Sequence, residues 1–430
     1  MPFVKGKLLR LTSKAFGVEE YHLPNGLRVL YKHVKGAPVV AVCVTFHVGS
    51  RNEAKGHTGS THILEHLLFK DTRNFNKKKG NAVTDFLERL GASVNATTWL
   101  DRTNYFELLP SERLEEGLAL EADRMRGSLF TDVDLASEMT IVRNEYERTR
   151  NNPFELLEEK VTAAAFTVHP YRIPTIGTKE DIENSNAKKL REFYDRFYWP
   201  NNATLTVMGD VPFSKVSALI EEYFAPIPSS PKPIPKVTIV EPEQKESRFV
   251  EIKKSAGVSI VEISYKIPEA THPDFPALMA TSVILAGGFS SRLVKKLVDT
   301  GLVADVSAIA WPLHDPSVFN VIAHCDPQTD TKKILKIIRD EVAKLGKQGP
   351  AKAEVTRAQN RILSMNAVER DGVFNEVRSV SEAIAAGDWK LTYTIPEKVK
   401  KLEPSDVARV TRNYLQTHRE TVGILHHQNP

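Results

Sequence analysis

Apolar and polar residues change their spacing repeatedly along the chain, and the changes mark out its elements. Apolar residues dominate 27–32 and 39–48, which reads as two strands, the first entered through the Asn25-Gly26 turn. Apolar positions three and four apart recur through 113–126, 135–150, 186–197 and 213–223, the spacing of amphipathic helices, with a strand over 203–209 before the last of them. Further on, the pattern predicts a strand over 258–265 and helices over 274–285 and 331–345. Strands and helices mix without a strict βαβ rhythm, and hairpins are evident. The expected class is α+β, with largely antiparallel sheets and helices packed on one face of each.

A helical stretch over 82–90 stops at Gly91 and is followed by alternating residues 92–97, a turn, and a strand over 103–108. The same order returns later: a helical stretch over 292–298, Gly301, alternation over 303–310, a turn over 312–316 and a strand over 318–323. This repetition predicts two similar domains. Between them Pro226, Pro228, Pro231, Pro233, Pro235 and Pro242 make a segment that suits neither helix nor sheet interior. The expected organisation is an N-terminal domain over 1–225, a proline-rich linker over 226–245 and a C-terminal domain over 246–430.

Composition narrows the class without naming a function. With 41% apolar and 26% charged residues, the chain is that of an ordinary globular protein. The net charge of +4 is spread over interspersed signs, and the one compact basic run, Lys77-Lys78-Lys79, reads as a solvated loop, so no nucleic-acid partner is expected. Cys43 and Cys325 sit in apolar runs and need not pair, which fits a reducing compartment. No run of apolar residues is long enough to span a bilayer. A soluble chain without a membrane partner is expected, cytoplasmic in a bacterium, or periplasmic if a signal peptide was removed.

The segment Gly59-Ser60-Thr61-His62-Ile63-Leu64-Glu65-His66-Leu67-Leu68-Phe69 carries the candidate chemistry. His62 and His66 are four apart, so on a helix both imidazoles leave one face, as two corners of a tetrahedral zinc site require. Glu65 borders that face and can reach the reaction centre without ligating the metal. Ile63, Leu64, Leu67 and Leu68 supply the side that anchors the helix. A zinc hydrolase needs a third protein ligand, and the helix over 135–150 offers Glu138 and Glu145, seven apart and therefore within about 20° of each other. Either carboxylate could serve, or both could be solvent-facing.

His62-x-x-Glu65-His66 is the inverted zinc motif, and its surroundings resemble the pitrilysin-type (M16) metallopeptidase family, which includes insulin-degrading enzyme and the mitochondrial processing peptidase. The resemblance extends to 48–53, 56–59, Phe69-Lys70, 91–105, His169-Pro170-Tyr171, Ile176-Gly177-Thr178, Pro200-Asn201-Asn202 and Gly209-Asp210. Length and duplication resemble the family's short-subunit branch, whose members work as dimers. The resemblance implies Zn2+ on His62, His66 and Glu145, Glu65 as general base, and Glu138 as the acidic residue that supports the ligands. It also implies that Asn95 and Ala96 lie on the edge strand along which a peptide substrate is bound.

One stretch departs from the family. Active members carry an arginine and a tyrosine, seven apart, in the C-terminal half; the matching positions here are Leu297 and Ala304. The resemblance therefore implies a zinc-bearing endopeptidase subunit that cleaves extended or unfolded peptides in a chamber formed by a dimer. Its expected partner is a homologous subunit supplying the Arg/Tyr pair, with a homodimer as the other arrangement. The alternative is a non-catalytic structural or core subunit of the same fold.

Overall fold

A computed structural model of the chain describes residues 8–428. The strands are β1 (Arg10–Ala15), β2 (Val18–His22), β3 (Arg28–His33), β4 (Val39–Phe46), β5 (Ser93–Thr98), β6 (Thr103–Pro110), β7 (Ala203–Gly209), β8 (Arg248–Lys254), β9 (Ser259–Ile267), β10 (Asp305–Ala310), β11 (Ser317–Cys325) and β12 (Glu420–His427). They form a seven-stranded sheet in the order β1–β2–β3–β7–β4–β6–β5 and a five-stranded sheet in the order β10–β11–β9–β12–β8. Read from the far edges, β5–β6–β4–β7–β3 and β10–β11–β9–β12–β8 are the same arrangement. Each has one parallel pair, β3 with β7 and β8 with β12, and antiparallel pairs elsewhere. The β1–β2 hairpin extends the first sheet alone.

The helices repeat in the same way. After β4 come α1 (Ser60–Leu67) and α2 (Val83–Arg89); after β6 come α3 (Leu114–Gly127), α4 (Asp132–Asn151) and α5 (Pro153–Ala165). Short α6 (Lys179–Glu183), then α7 (Ala187–Phe197), lead to β7, and α8 (Phe213–Phe224) follows it. In the second half α9 (Phe275–Ala286) follows β9. Then α10 (Thr331–Gln348), α11 (Lys352–Glu369) and α12 (Val373–Ala385) follow β11, and α13 (Leu391–Val399) and α14 (Pro404–Tyr414) precede β12. The fold is α+β, built from two similar domains. Residues 292–298, expected as a helix, contain a turn of π-helix over Val294–Val298.

Each sheet buries one face against its own helices. Val40, Val42 and Val44 of β4 pack with Ile63, Leu64 and Leu67 of α1 and Leu118 and Met125 of α3. Val261, Ile263 and Tyr265 of β9 do the same with Phe275 and Leu278 of α9 and Ile338 of α10. The opposite faces are covered by exchange. One compact unit comprises the chain up to Tyr146, Pro174–Thr238 and Glu369–Ala385; the other comprises Glu147–Ile173, Ile239–Val368 and the chain from Ala386. Thus α12 belongs to the first unit, where Phe374 meets Phe106 of β6 and Ser381 meets Asn104. In return α5 belongs to the second, where Leu157 and Val161 cluster with Ile260 and Leu425. Its seat is Gly423, where a Cβ would lie 2.2 Å from Val161 Cγ2.

The proline-rich stretch carries no helix or strand, and the chain crosses from one unit to the other within it, at Thr238–Ile239. The expected boundaries at 225 and 246 bracket that crossing but not the two exchanged segments. These are ordinary amphipathic helices whose destination no local pattern encodes. Among the described residues no helix is long and apolar enough to cross a membrane.

Candidate metal centre

The backbone before α1 is held by two glycines and two carboxylates. Gly59 (φ +86°) and Gly177 (φ +90°) press together: a Cβ on Gly59 would sit 2.5 Å from the Ile176 oxygen, and one on Gly177 2.6 Å from Gly59 N. Glu53, buried, accepts the Gly59 and Thr61 N–H groups, each at 2.7 Å, and the Thr61 hydroxyl. A carboxylate at a helix N-terminus satisfies donors that have no partner inside the helix. Burial nevertheless pushes the Glu53 carboxyl up to about 8, against those donors. Asp181 of α6 accepts from Gly56 N, Thr58 N and the Thr58 hydroxyl, which fixes the turn leading in.

With Ile63, Leu64 and Leu67 buried, α1 turns His62, Glu65 and His66 away from the core. The α4 helix runs alongside and presents Glu138 and Glu145 to it. His62 Nε2 lies 3.4 Å and His66 Nε2 3.9 Å from Glu145 Oε2, and the two imidazoles meet edge-on at 4.8 Å. One donor atom from each of His62, His66 and Glu145 lies within 4.8 Å of the others. A tetrahedral zinc site with bonds near 2.0–2.2 Å sets its donors roughly 3.3–3.6 Å apart, so this trio fits zinc with small adjustments.

The remaining ring nitrogen of His66 has its own partner. Nδ1 lies 3.2 Å from Glu138 Oε2, and Glu138 Oε1 is 2.5 Å from Lys70 Nζ. A carboxylate accepting Nδ1–H leaves the Nε2 lone pair free for a metal. His62 Nδ1 is buried and has no hydrogen-bond partner among the described residues. Burial, followed by the His66 ring beside it, lowers His62 to about 4, so its imidazole is neutral, the form that ligates. Burial likewise raises Glu65 above the usual carboxylate range; the neighbouring Thr98 hydroxyl, His66 and Arg102 oppose the shift.

Asn95 and Ala96 sit on β5, which pairs with β6 and, among the described residues, with no strand on its far side. Ala96 is buried; Asn95 is exposed, and its Oδ1 accepts the Ala96 N–H. A cavity of 430 Å3 opens at the site, with Glu65, His66, Asn95 and Glu138 at one side and Phe69 and Val83 as apolar wall. The fold thus brings together His62, Glu65, His66, Glu138, Glu145 and Asn95; Ala96 is in the same strand but does not line the cavity. Sequence reasoning missed Glu53, Asp181 and the bridging role of Lys70. Only Lys70, four residues after His66, gave a local signal. Leu297 is buried in the core of the second unit, while Ala304 is exposed just before β10 and donates its N–H to the His324 oxygen.

Two histidines one turn apart, a carboxylate from a second helix and an adjacent half-buried glutamate make up the candidate metal centre of a duplicated α+β fold. Residues 28–179 match the family described as insulinase (peptidase family M16), and residues 184–362 match the peptidase M16 inactive domain. A Helicobacter pylori protein named zinc protease PqqE is 32% identical over 419 residues, 95% of this chain and 92% of that protein. An uncharacterized zinc protease of Mycobacterium leprae is 27% identical over 83% of this chain and 80% of its own length. The crystal structure of a protease from Helicobacter pylori superposes with a TM-score of 0.89 at 30% identity, covering 96% of this chain and 99% of the other. At 18% identity, an M16 inactive-domain structure from Pseudomonas fluorescens shares the fold, with a TM-score of 0.85 over 96% of this chain and 98% of its own. The chain belongs to peptidase family M16.

Proposed function

We propose that the chain is a zinc-dependent endopeptidase subunit that cleaves extended or unfolded peptides within a dimer chamber. The observation that carries this reading is the convergence of His62, His66 and Glu145 with Glu65 one residue from a ligand. His62, His66 and Glu145 would hold a zinc ion, which would supply Lewis acidity there. Glu65 takes the proton of the attacking water and later delivers one to the leaving amine; its burial-raised pKa suits both transfers. Glu138, held by Lys70, keeps the His66 ring oriented. The free edge of β5 offers backbone hydrogen bonds to an extended peptide irrespective of its sequence, so side-chain selection falls to the adjoining cavity.

Leu297 and Ala304 can donate no side-chain hydrogen bond to a developing oxyanion. A homologous subunit carrying Arg and Tyr at those positions is the expected partner, and the chain alone, even as a homodimer, is expected to be inactive or weakly active. Following cleavage of a quenched peptide by this chain, by a partner chain and by their mixture tests the reading. Full activity of the isolated chain would remove the need for a partner. A chain that holds no zinc and cleaves nothing with any partner would instead be a structural subunit.

A further inference from the structure

The second unit repeats the helix pair that carries the metal ligands but equips it differently. In chain order α9 and α11 correspond to α1 and α4. The α9 helix, Phe-Pro-Ala-Leu-Met-Ala-Thr-Ser-Val-Ile-Leu-Ala, contains no histidine, cysteine or acid, and the middle of α11 carries arginines in place of glutamates. Between the end of α9 and α11 lies a cavity of 520 Å3, a volume suited to a small ligand or the end of a chain.

Its walls are apolar: Val283 and Ile284 from α9 and Ala358 from α11. Its rim carries Arg357 and Arg361, exposed and one turn apart. Arg361 makes no ion pair among the described residues, and Arg357 donates only to the Ala353 oxygen of its own helix. Glu354, also in the lining, is held by Arg292 at 2.7 and 2.9 Å and feels the Arg357 charge without a hydrogen bond to it. Ser291, likewise in the lining, is buried, and its hydroxyl has no hydrogen-bond partner among the described residues. Phe289, 95% exposed, stands at the mouth on the Gly287-Gly288 turn, where Gly288 has φ +112°.

We propose that this cavity binds the free C-terminal carboxylate of a peptide whose last residues are apolar. Two adjacent guanidinium groups match a carboxylate in charge and in the fork geometry of their donors. The apolar walls take the final side chains, and Phe289 adds an aromatic surface at the mouth. A fatty acid shares the carboxylate and the apolar chain. Ser290 and Asn360, exposed in the same lining, offer hydrogen-bonding side chains that a peptide backbone can use and an alkyl chain cannot. The site rests on residues of the second unit alone and stands whether or not the metal centre hydrolyses peptides.

The test is fluorescence anisotropy with the full-length chain and an N-terminally labelled peptide ending in Ala-Leu-Leu. The free acid should bind, and its C-terminal amide should bind at least about tenfold more weakly, because the charge-assisted hydrogen bonds are lost. The exposed-site double variant Arg357→Gln/Arg361→Gln should lose the acid's advantage while unfolding as the wild type does. His66→Ala, which removes a metal ligand, should retain it, so failure of this site and failure of the metal reading are distinguishable. Equal binding of acid and amide, retention by the arginine variant, or loss in His66→Ala would overturn the proposal. So would binding of laurate with none of the peptide.

Discussion

The α1 and α9 helices follow equivalent strands, β4 and β9, of the two sheets, and they put their surfaces to opposite uses. In α1, Ile63, Leu64 and Leu67 bury one side while His62, Glu65 and His66 leave the other. In α9 the apolar residues run all round, and eight of its positions from Phe275 to Leu285 are buried. A helix apolar on every side is a core element, whereas one with a polar stripe has a face to spend on chemistry. The difference extends to the neighbouring helix, where Glu138 and Glu145 of α4 contrast with Arg357 and Arg361 of α11. Duplication of a scaffold therefore repeats the positions of helices, while a few side chains decide whether the place between them suits a cation or an anion. Even the helix of the candidate metal centre depends on supports outside its motif: Glu53 at its first turn, Gly177 against Gly59, and Lys70 behind Glu138.

The largest expected effect would break the comparison outright. If only the first unit has the chemistry, Glu65→Gln should retain zinc and fold yet lose about 10²–10⁴-fold or more of peptide hydrolysis, followed with a quenched substrate. Near-normal turnover by that zinc-loaded variant would place the base elsewhere. Metal analysis of the purified chain should find roughly one zinc per chain, since α9 offers no ligand, and His62→Ala or Glu145→Gln should strip most of it. Two zinc ions per chain would show that the second unit is not the metal-free member of the pair.

A smaller effect sharpens the part played by supporting groups. Lys70→Met leaves Glu138 without its ammonium partner and should weaken zinc binding by about 10–100-fold, measured by competition with a chromophoric chelator. At the exchanged helix, Gly423→Ala should destabilise the second unit by about 1–3 kcal/mol in urea unfolding, because the added methyl meets Val161 and Leu157.

A last effect is a pH slope arising in the second unit. Lys266 of β9 is largely buried, its Nζ lies 3.1 Å from the Phe166 ring centroid, and burial lowers its pKa to about 7 from an ordinary 10.5. The folded state thus binds this proton less readily than the unfolded state. The stability penalty is complete below about 7 and is relieved as pH rises towards 10.5. Lys266→Met should raise the melting temperature at pH 7 by several degrees, at roughly 2–4 °C per kcal/mol, and flatten its rise between pH 7 and 10. An unchanged slope would assign the pH dependence to other groups.

Much of the scaffold was legible because it is written in local spacing. The strand over 203–209 coincides with β7, and the helix over 213–223 with α8 to within one residue. Other elements gave weaker signals. The edge strand β8 alternates half-buried and exposed residues such as Phe249, and β12 reads as a short apolar run at the end of the chain. The π-helical turn over Val294–Val298 escaped because its apolar spacing is that of an α-helix.

Within the site, the sequence by itself determined the pair of histidines, the glutamate between them and two acids seven apart, since helical geometry converts those intervals into shared faces. The tertiary structure decided which acid faces which ring nitrogen. Glu145 meets both histidine Nε2 atoms, whereas Glu138 meets Nδ1 of His66 and Lys70. It also decided that α5 and α12 trade units, that Glu53 caps α1 and that two arginines without an ion pair among the described residues border an apolar cavity. These are contacts between residues far apart in the chain. A linear pattern fixes the direction a side chain takes from its own helix, but which partner it meets is set only when the helices pack.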